Sequence, residues 1–398
     1  MRFGEGLAVG DDLLAGATQA AAEAVAPLDG ITPDLACVFV CGDDPDQVAV
    51  AGRRASEVTG AGAVIGCSAG GVIGKGRAVE GAAAVSVWAA VLPGLRPRTF
   101  HLDVLRSQHS LAVLGMPEPR VEDTVAVLLA DPYTFPADGF VEQANDQLPG
   151  LPFVGGLASS GGGAGATRLF RDGRSSNRGA VGVVLSTTPE TDDDVVVSTM
   201  VSQGTRPIGP AMTVTAAEGN VLLGLAGSPA LDKVREIVAV LPPHDQQLAV
   251  SGLQIGIAMD EYAEEHGSGD FLVRGLLGAD PDRGGVAIGD IVEVGRTVRL
   301  QVRDAEAADA DLSALLTHFR DAEALDPVEG ALLFSCNGRG ASLFSSPDHD
   351  VIAVRSVLGA APVSGFFAAG EVGPVGGRNH LHGFSASILA FGTSGNRS

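Results

Sequence analysis

One pattern constrains this chain more than any other feature: a single run of elements occurs three times along it. Each copy has an apolar strand, a polar break opening a helix, a second strand that runs into a glycine-rich loop, and a third strand. In the first copy LACVFV (35–40) leads through Cys41-Gly42-Asp43-Asp44-Pro45 into DQVAVAGRRASEVTG, then AVIGCSAGGVIGKG and AVSVWAAV. Asp44 is placed to cap that helix, with proline at its first position. In the second, VAVLLA (125–130) leads through Asp131-Pro132-Tyr133 to a helix near Asp138 to Leu148, then LPFVGGLASSGGGAG and GAVGVVLS. In the third, ALLFS (331–335) leads through Cys336-Asn337-Gly338-Arg339-Gly340 to a helix over HDVIAVRSVLG, then APVSGFFAAGEVGPVGG and HGFSASILAF. Gly66, Gly156 and Gly365 take corresponding places, each with another glycine close behind.

Strand, helix and strand in series make a parallel crossover, and the next strand can return antiparallel beside it. The expected fold is therefore α/β, with mixed parallel and antiparallel sheets built from three strand-helix-strand-strand repeats. A β-rich insertion precedes the last repeat, over roughly 205–325, with alternating segments LAVSGLQIGIAMD, FLVRGLLGAD and GRTVRLQVRD. Its helices are expected near Pro229 to Leu241 and Ala305 to Arg320, the second capped by Asp304. A chain of 398 residues exceeds one ordinary core, so two domains are expected: 1–204 with two repeats, and 205–398 with the β-rich part and the third repeat. The acidic run from Thr187 to Asp194 reads as a surface turn between strands.

The net charge of −22, with no basic run, repels phosphate-rich partners, so nucleic acid is excluded, and anionic lipid is opposed as well. No apolar stretch reaches the roughly 18 to 20 residues of a membrane span. Glu5, Asp11 and Asp12 stand where a signal peptide needs a basic end and an apolar run, so a cytoplasmic protein is expected. Cys37, Cys41, Cys67 and Cys336 are too scattered for a disulfide framework and form no C-x-x-C pair. His380-Leu381-His382 has no Asp, Glu or Cys obviously completing a metal set, so no metal is expected. No cofactor is expected either. Gly74-Lys75 lacks both the first glycine and the following Ser or Thr of a phosphate-binding loop, and the glycines of 161–166 lead into a strand-like segment.

Two clusters could carry chemistry. Gly66-Cys67-Ser68-Ala69-Gly70 matches G-x-S-x-G, but a nucleophile elbow needs a helix after the serine, and Gly71-Val72-Ile73-Gly74-Lys75-Gly76 is poor helix sequence. Cys336-Asn337-Gly338-Arg339-Gly340 sets one arginine among small residues at a strand exit. That guanidinium could clamp a carboxylate with two prongs, or could be a structural arginine on backbone carbonyls. Glu371 has a matching pair of readings: a partner for a ligand ammonium, or an ion-pair partner for Arg339.

VIGCSAGGVIGKG with AVSVWAAVLPG resembles the N-terminal FIST region, and LLFSCNGRG with VSGFFAAGEVGP and NHLHGFSAS resembles the C-terminal FIST region. The resemblance covers nearly the whole chain. It implies an intracellular sensory module that binds small ligands such as amino acids and is often joined to signalling output domains. No kinase, cyclase, chemotaxis or F-box segment is recognisable in the sequence, so a stand-alone input module with a separate signalling partner is expected. The resemblance supplies no catalytic residues, and none are expected. Residue chemistry and repeat position, rather than the family, suggest the binding roles. Arg339 takes a carboxylate and Glu371 an ammonium; Ser68, Asn337, Asn379 and His382 give hydrogen bonds; Gly70, Gly71 and Gly370 let backbone N–H groups approach; Cys336 lies among them. Two alternatives stand beside this sensor: an enzyme with Ser68 or Cys336 as nucleophile, and a protein-interaction scaffold.

Overall fold

Leu35 to Cys41 is apolar at nearly every position, and the strand it forms is buried on both faces, as a strand covered by layers on both sides must be. The same logic runs through a computed structural model that describes residues 1–107, 110–188, 195–261, 270–322, 325 and 327–393. Ahead of the first copy stand β1 (Arg2–Val9) and α1 (Leu13–Val25); the copy comprises β2 (Leu35–Cys41), α2 (Pro45–Thr59), β3 (Ala63–Ser68), a hairpin of β4 (Gly71–Gly74) and β5 (Arg77–Glu80), and β6 (Ala84–Val91). After β7 (Leu95–Arg106) and β8 (Leu111–Leu114), the second comprises β9 (Asp123–Ala130), α3 (Ala137–Gln147), β10 (Phe153–Leu157), a hairpin of β11 (Leu169–Arg171) and β12 (Arg174–Ser176), and β13 (Ala180–Thr187). After β14 (Val195–Ser202) come β15 (Thr205–Glu218), β16 (Val221–Leu225), β17 (Ser228–Pro229), α4 (Ala230–Ala239), α5 (Pro243–Gly252), β18 (Leu253–Ala258), β19 (Phe271–Asp280), β20 (Gly285–Ile288) and β21 (Thr297–Arg303). The chain then runs through α6 (Ala305–Asp321), β22 (Val328–Cys336), α7 (Ala341–Phe344), α8 (His349–Leu358), β23 (Val363–Ala368), a hairpin of β24 (Glu371–Val375) and β25 (Arg378–His382), and β26 (Ala386–Thr393).

Asp44 caps α2 as expected, its carboxylate accepting from the N–H groups of Asp46 and Gln47, with Pro45 at the first turn. Asp304 does the same for α6 by accepting from Ala307 N–H at 3.1 Å. Each crossover pairs its two strands in parallel, β2 with β3, β9 with β10 and β22 with β23. The returning strands β6, β13 and β26 lie antiparallel to the first strand of their own copy, so the sheets are mixed.

The hairpins leave their own copies. β4–β5 completes the sheet β14-β26-β22-β23-β4-β5, β11–β12 completes β1-β6-β2-β3-β11-β12, and β24–β25 completes β25-β24-β10-β9-β13-β7-β8. The exchange is cyclic: each copy gives one hairpin and receives another. Short two-stranded hairpins are marginal alone, and docking them on a neighbour's second strand also covers that strand's edge.

The second strands must carry glycine because the parallel partner comes close. A Cβ on Gly66 would stand 1.9 Å from Val38 O, one on Gly155 2.1 Å from Leu128 O, and one on Gly365 1.7 Å from Leu333 O. In the second copy it is thus Gly155, at φ +132°, rather than Gly156, that has this contact with the paired strand.

Side chains from all three sheets share one core, among them Phe39, Val127 and Phe334. Phe39 stacks on Phe366 at 5.1 Å, with Phe334 edge-on to Phe366 at 5.7 Å. Burying each such ring stabilises the fold by about 2–3 kcal/mol, and the pairings add about 1 kcal/mol.

By its contacts the chain forms two compact units, one of residues 1–202, 312–381 and 385 onward, the other of 203–311 with 382–384. This division differs from a cut at 204/205, because hairpin exchange ties the third copy to the first two. In the second unit the sheet runs β15-β21-β18-β19-β20-β16-β17, and β15 also pairs with β16, so the sheet closes on itself around Val214, Leu225, Ile257 and Leu300. LAVSGLQIGIAMD is not strand throughout. Its first five residues finish α5, which starts at Pro243 and ends at Gly252, and β18 begins only at Leu253. Of the acidic run after β13, residues 189–194 lie outside the described residues.

Candidate functional site

Hairpin exchange brings three separate loops to the C-terminal ends of the parallel strands in the first unit, the region where α/β sheets leave backbone groups open. The Ser68 hydroxyl ends β3; it donates to Ser160 Oγ at 3.0 Å and accepts from Arg168 N–H at 2.9 Å. Ser159 Oγ accepts from Gly70 N–H at 3.0 Å and donates to the Phe367 carbonyl. Leu157 N–H reaches Gly370 O at 2.8 Å, Ala369 N–H reaches Leu157 O at 2.9 Å, and Asn337 N–H reaches Ala368 O at 2.8 Å. Ser68, Gly70, Asn337 and Gly370 therefore belong to one bonded rim, with Gly70, Asn337 and Ala369 exposed.

Ser159 and Ser160 were not marked in the sequence. The signal was present, a serine pair opening the glycine loop of the second copy, but the exchange that sets it against Ser68 and Gly70 joins residues about ninety apart in the chain. Gly71 has a different role from the one expected. A Cβ there would lie 2.7 Å from Val79 O and 2.8 Å from the Phe367 ring, so its bareness serves the packing of β4.

Buried at the same strand ends is a polar cluster. Arg339, 1% exposed, gives Nε to Asp350 Oδ2 at 2.8 Å and Nη2 to Asp350 Oδ1 at 2.9 Å. Ser335 Oγ also donates to Asp350 Oδ2, at 2.6 Å, and His349 Nδ1 lies 2.9 Å from Oδ1. The Phe344 ring stacks on His349 and faces the guanidinium at 5.3 Å. Burial alone would raise the Asp350 carboxyl, but the Arg339 charge and these bonds outweigh it and hold the acid well below the usual carboxylate range. The partner of Arg339 is thus Asp350, and its two-pronged face is already occupied. Glu371 feels the Arg339 charge without sharing this two-pronged bond.

Glu371 is fully buried. Its Oε2 accepts from Ser385 N–H at 3.1 Å and Ser385 Oγ at 2.9 Å, while Oε1 has no hydrogen-bond partner among the described residues. Burial pushes this carboxyl up to about 8, against weaker lowering by Ser385, the neighbouring Cys336 thiol and Arg339. At neutral pH it is largely protonated. Cys336 N–H is tied to Ser385 O at 2.9 Å, and its sulfur accepts from Gly338 N–H at 3.4 Å.

Asn379 has its side chain engaged elsewhere. Asn379 ties β25 to the start of β10: Oδ1 accepts from Phe153 N–H at 2.7 Å and Nδ2 donates to Leu151 O at 2.9 Å. His382 is buried at the end of β25 and is grouped by its contacts with the second unit. Ser68 forms no nucleophile elbow, since strand β4 rather than a helix follows it. Among the described residues no group of three or more His, Cys, Asp or Glu is placed to hold a metal ion, and no helix is long and apolar enough to cross a membrane.

Residues 34–228 match the FIST N domain and residues 230–374 the FIST C domain. An uncharacterized protein of Mycobacterium tuberculosis is 44% identical over 391 residues, which span 98% of this chain and 100% of the relative. An uncharacterized protein of Mycobacterium bovis is 42% identical over 392 residues, 98% of this chain and 99% of its own.

Proposed function

This chain belongs to the FIST family, whose domains are sensory and signal-transduction modules that bind small ligands, and from that premise we propose that it is a non-catalytic sensor of an amino-acid-like molecule held at the exchanged-hairpin strand ends. One observation carries the reading. Glu371 is a wholly buried acid with an unsatisfied oxygen, two residues from the exposed rim at Ala369, and a ligand ammonium would satisfy it. The carboxylate of such a ligand falls to the rim, to the hydroxyl of Ser160, which accepts from Ser68 and keeps its own proton to donate, because Asp350 holds the Arg339 fork. Binding an ammonium requires Glu371 to release its proton, so affinity should strengthen as pH rises toward 8. The readout of a sensed ligand would pass to a separate signalling protein.

Thermal shift against a panel of amino acids, simple amines and small carboxylates tests this, since a ligand that binds only the folded state raises the melting temperature. One class should stabilise the wild type and lose that effect in Glu371→Gln. If no class stabilises the wild type at millimolar concentration, the reading fails. Arg339→Ala is a poor probe, because breaking its buried pair costs about 3–5 kcal/mol by itself.

A second reading, a thiol enzyme, rests on Cys336. Its sulfur accepts from Gly338 N–H and lies near Arg339 and Glu371, a setting that could support a thiolate and a proton relay. Stoichiometric labelling of Cys336 by iodoacetamide, much faster than free thiol, would favour it; an inert Cys336 would remove it.

A further inference from the structure

Arg171 and Arg174 face each other directly across the β11–β12 hairpin, joined by Asp172-Gly173 with both residues at positive φ. This two-residue turn fixes the register, so the two side chains share one face with their Cβ atoms about 5 Å apart. Like charges so placed destabilise a hairpin. A carboxylate would ordinarily compensate, yet among the described residues neither arginine meets one. The nearest acid in sequence is committed elsewhere, since Asp172 accepts from Val64 N–H at 3.0 Å and from Thr99 Oγ1 at 2.6 Å.

The other two exchanged hairpins do not repeat this pairing. Arg77 and Arg378 also begin the second strand of their hairpins, but Gly74 stands opposite Arg77 and Val375 ends the strand before Arg378. The doubled charge is peculiar to the second copy, in a chain whose net charge is −22.

Arg171 and Arg174 line a cleft of about 190 Å³ with His101, Ser175, Ser176, Leu169 and Val181. A second cleft of about 370 Å³ shares His101 and is lined by Asp103 and Arg178. Arg178 lies 3.9 Å from Asp103 and so counts as partly neutralised. Leu169 and Val181 line the same space as the charges, which strengthens charge-assisted bonds formed there.

We propose that this cleft is an anion site for phosphate or the phosphate group of a small phosphomonoester, bound between Arg171 and Arg174. Two guanidinium forks converging from one face suit a tetrahedral oxyanion better than a planar carboxylate, which has only two oxygens to engage them; the Ser176 hydroxyl is spent on the Arg178 carbonyl at 3.0 Å. The site is separate in its residues from the Glu371 cluster.

Titration of the full chain with inorganic phosphate, at ionic strength held constant with sodium chloride, tests the assignment by calorimetry and thermal shift. Phosphate should bind and raise the melting temperature of the wild type. Arg171→Gln and Arg174→Gln should each weaken binding by about tenfold, the effect of losing one charge-assisted contact, while Arg77→Gln leaves it unchanged. Without phosphate, Arg171→Gln should melt above the wild type because the like-charge pair is relieved, which a misfolded variant cannot mimic. Unchanged phosphate binding in Arg171→Gln, or an equal response to acetate, would overturn the proposal. So would pelleting with phosphatidic acid vesicles by a chain that ignores free phosphate.

Discussion

Two buried acids in one cluster are pushed in opposite directions, and their consequences fall in separate pH ranges. Glu371 has an ordinary value of 4.5 and a folded value of about 8, so between these the folded state holds a proton that the unfolded chain releases. Stability should therefore fall as pH rises from about 4.5 to about 8, at no more than about 1.4 kcal/mol per pH unit for one proton. Glu5, raised chiefly by burial, adds a loss of the same sign. Asp350 acts the other way: its depressed folded value contributes stability present above about pH 4 and lost on acidification. Denaturant titrations of wild type and Glu371→Gln across pH 5 to 8 should show a shallower decline in the variant, and parallel curves would mean that Glu371 is ionised throughout. The chemistry of Arg339 and Glu371 was legible from their types and setting. Their partners were not, because Asp350 is carried back to Arg339 only by the packing of α8 against β22.

At the scale of the elements, close approach of parallel strands makes glycine obligatory at a few positions and irrelevant at others. Gly66→Ala would drive a methyl to 1.9 Å from Val38 O, so it should cost about 2 kcal/mol or more. Gly139 lies within α3 with nothing within 4 Å of its absent Cβ, so Gly139→Ala should stabilise by about 0.5–1 kcal/mol. Thermal melts of the two variants should thus move in opposite directions; a shared direction would contradict the strand-approach argument. Helices α2, α3, α4, α6 and α8, the caps at Asp44 and Asp304 and most strands follow from periodicity and start signals in the sequence, whereas α1, α5 and α7 are not among the expected helices. The start of the strand near Leu253 does not, because Leu248 and Val250 suit the apolar phase of either a strand or the end of α5.

For the whole molecule, hairpin exchange makes the first unit depend on both ends of the chain, whereas the second has its own closed sheet and core. A fragment of residues 1–202 keeps two copies but removes β23 from beside β4, β24 from beside β10 and β26 from beside β14. It should lack slowly exchanging amides, while a fragment of residues 203–311 should retain them in β15, β18 and β21; the reverse result in hydrogen exchange would break the division. What the sequence determined by itself was much of what depends on neighbours along the chain: the strand-helix-strand crossovers, the starts of the helices within them and the polar character of their strand ends. Which sheet each hairpin joins was decided by tertiary structure alone, because a short strand with apolar alternation fits any exposed edge, and only the shape of the shared core selects one. For the same reason Ser159 and Ser160 came to the rim beside Ser68 and Gly70, and Asn379 was drawn away to hold β10.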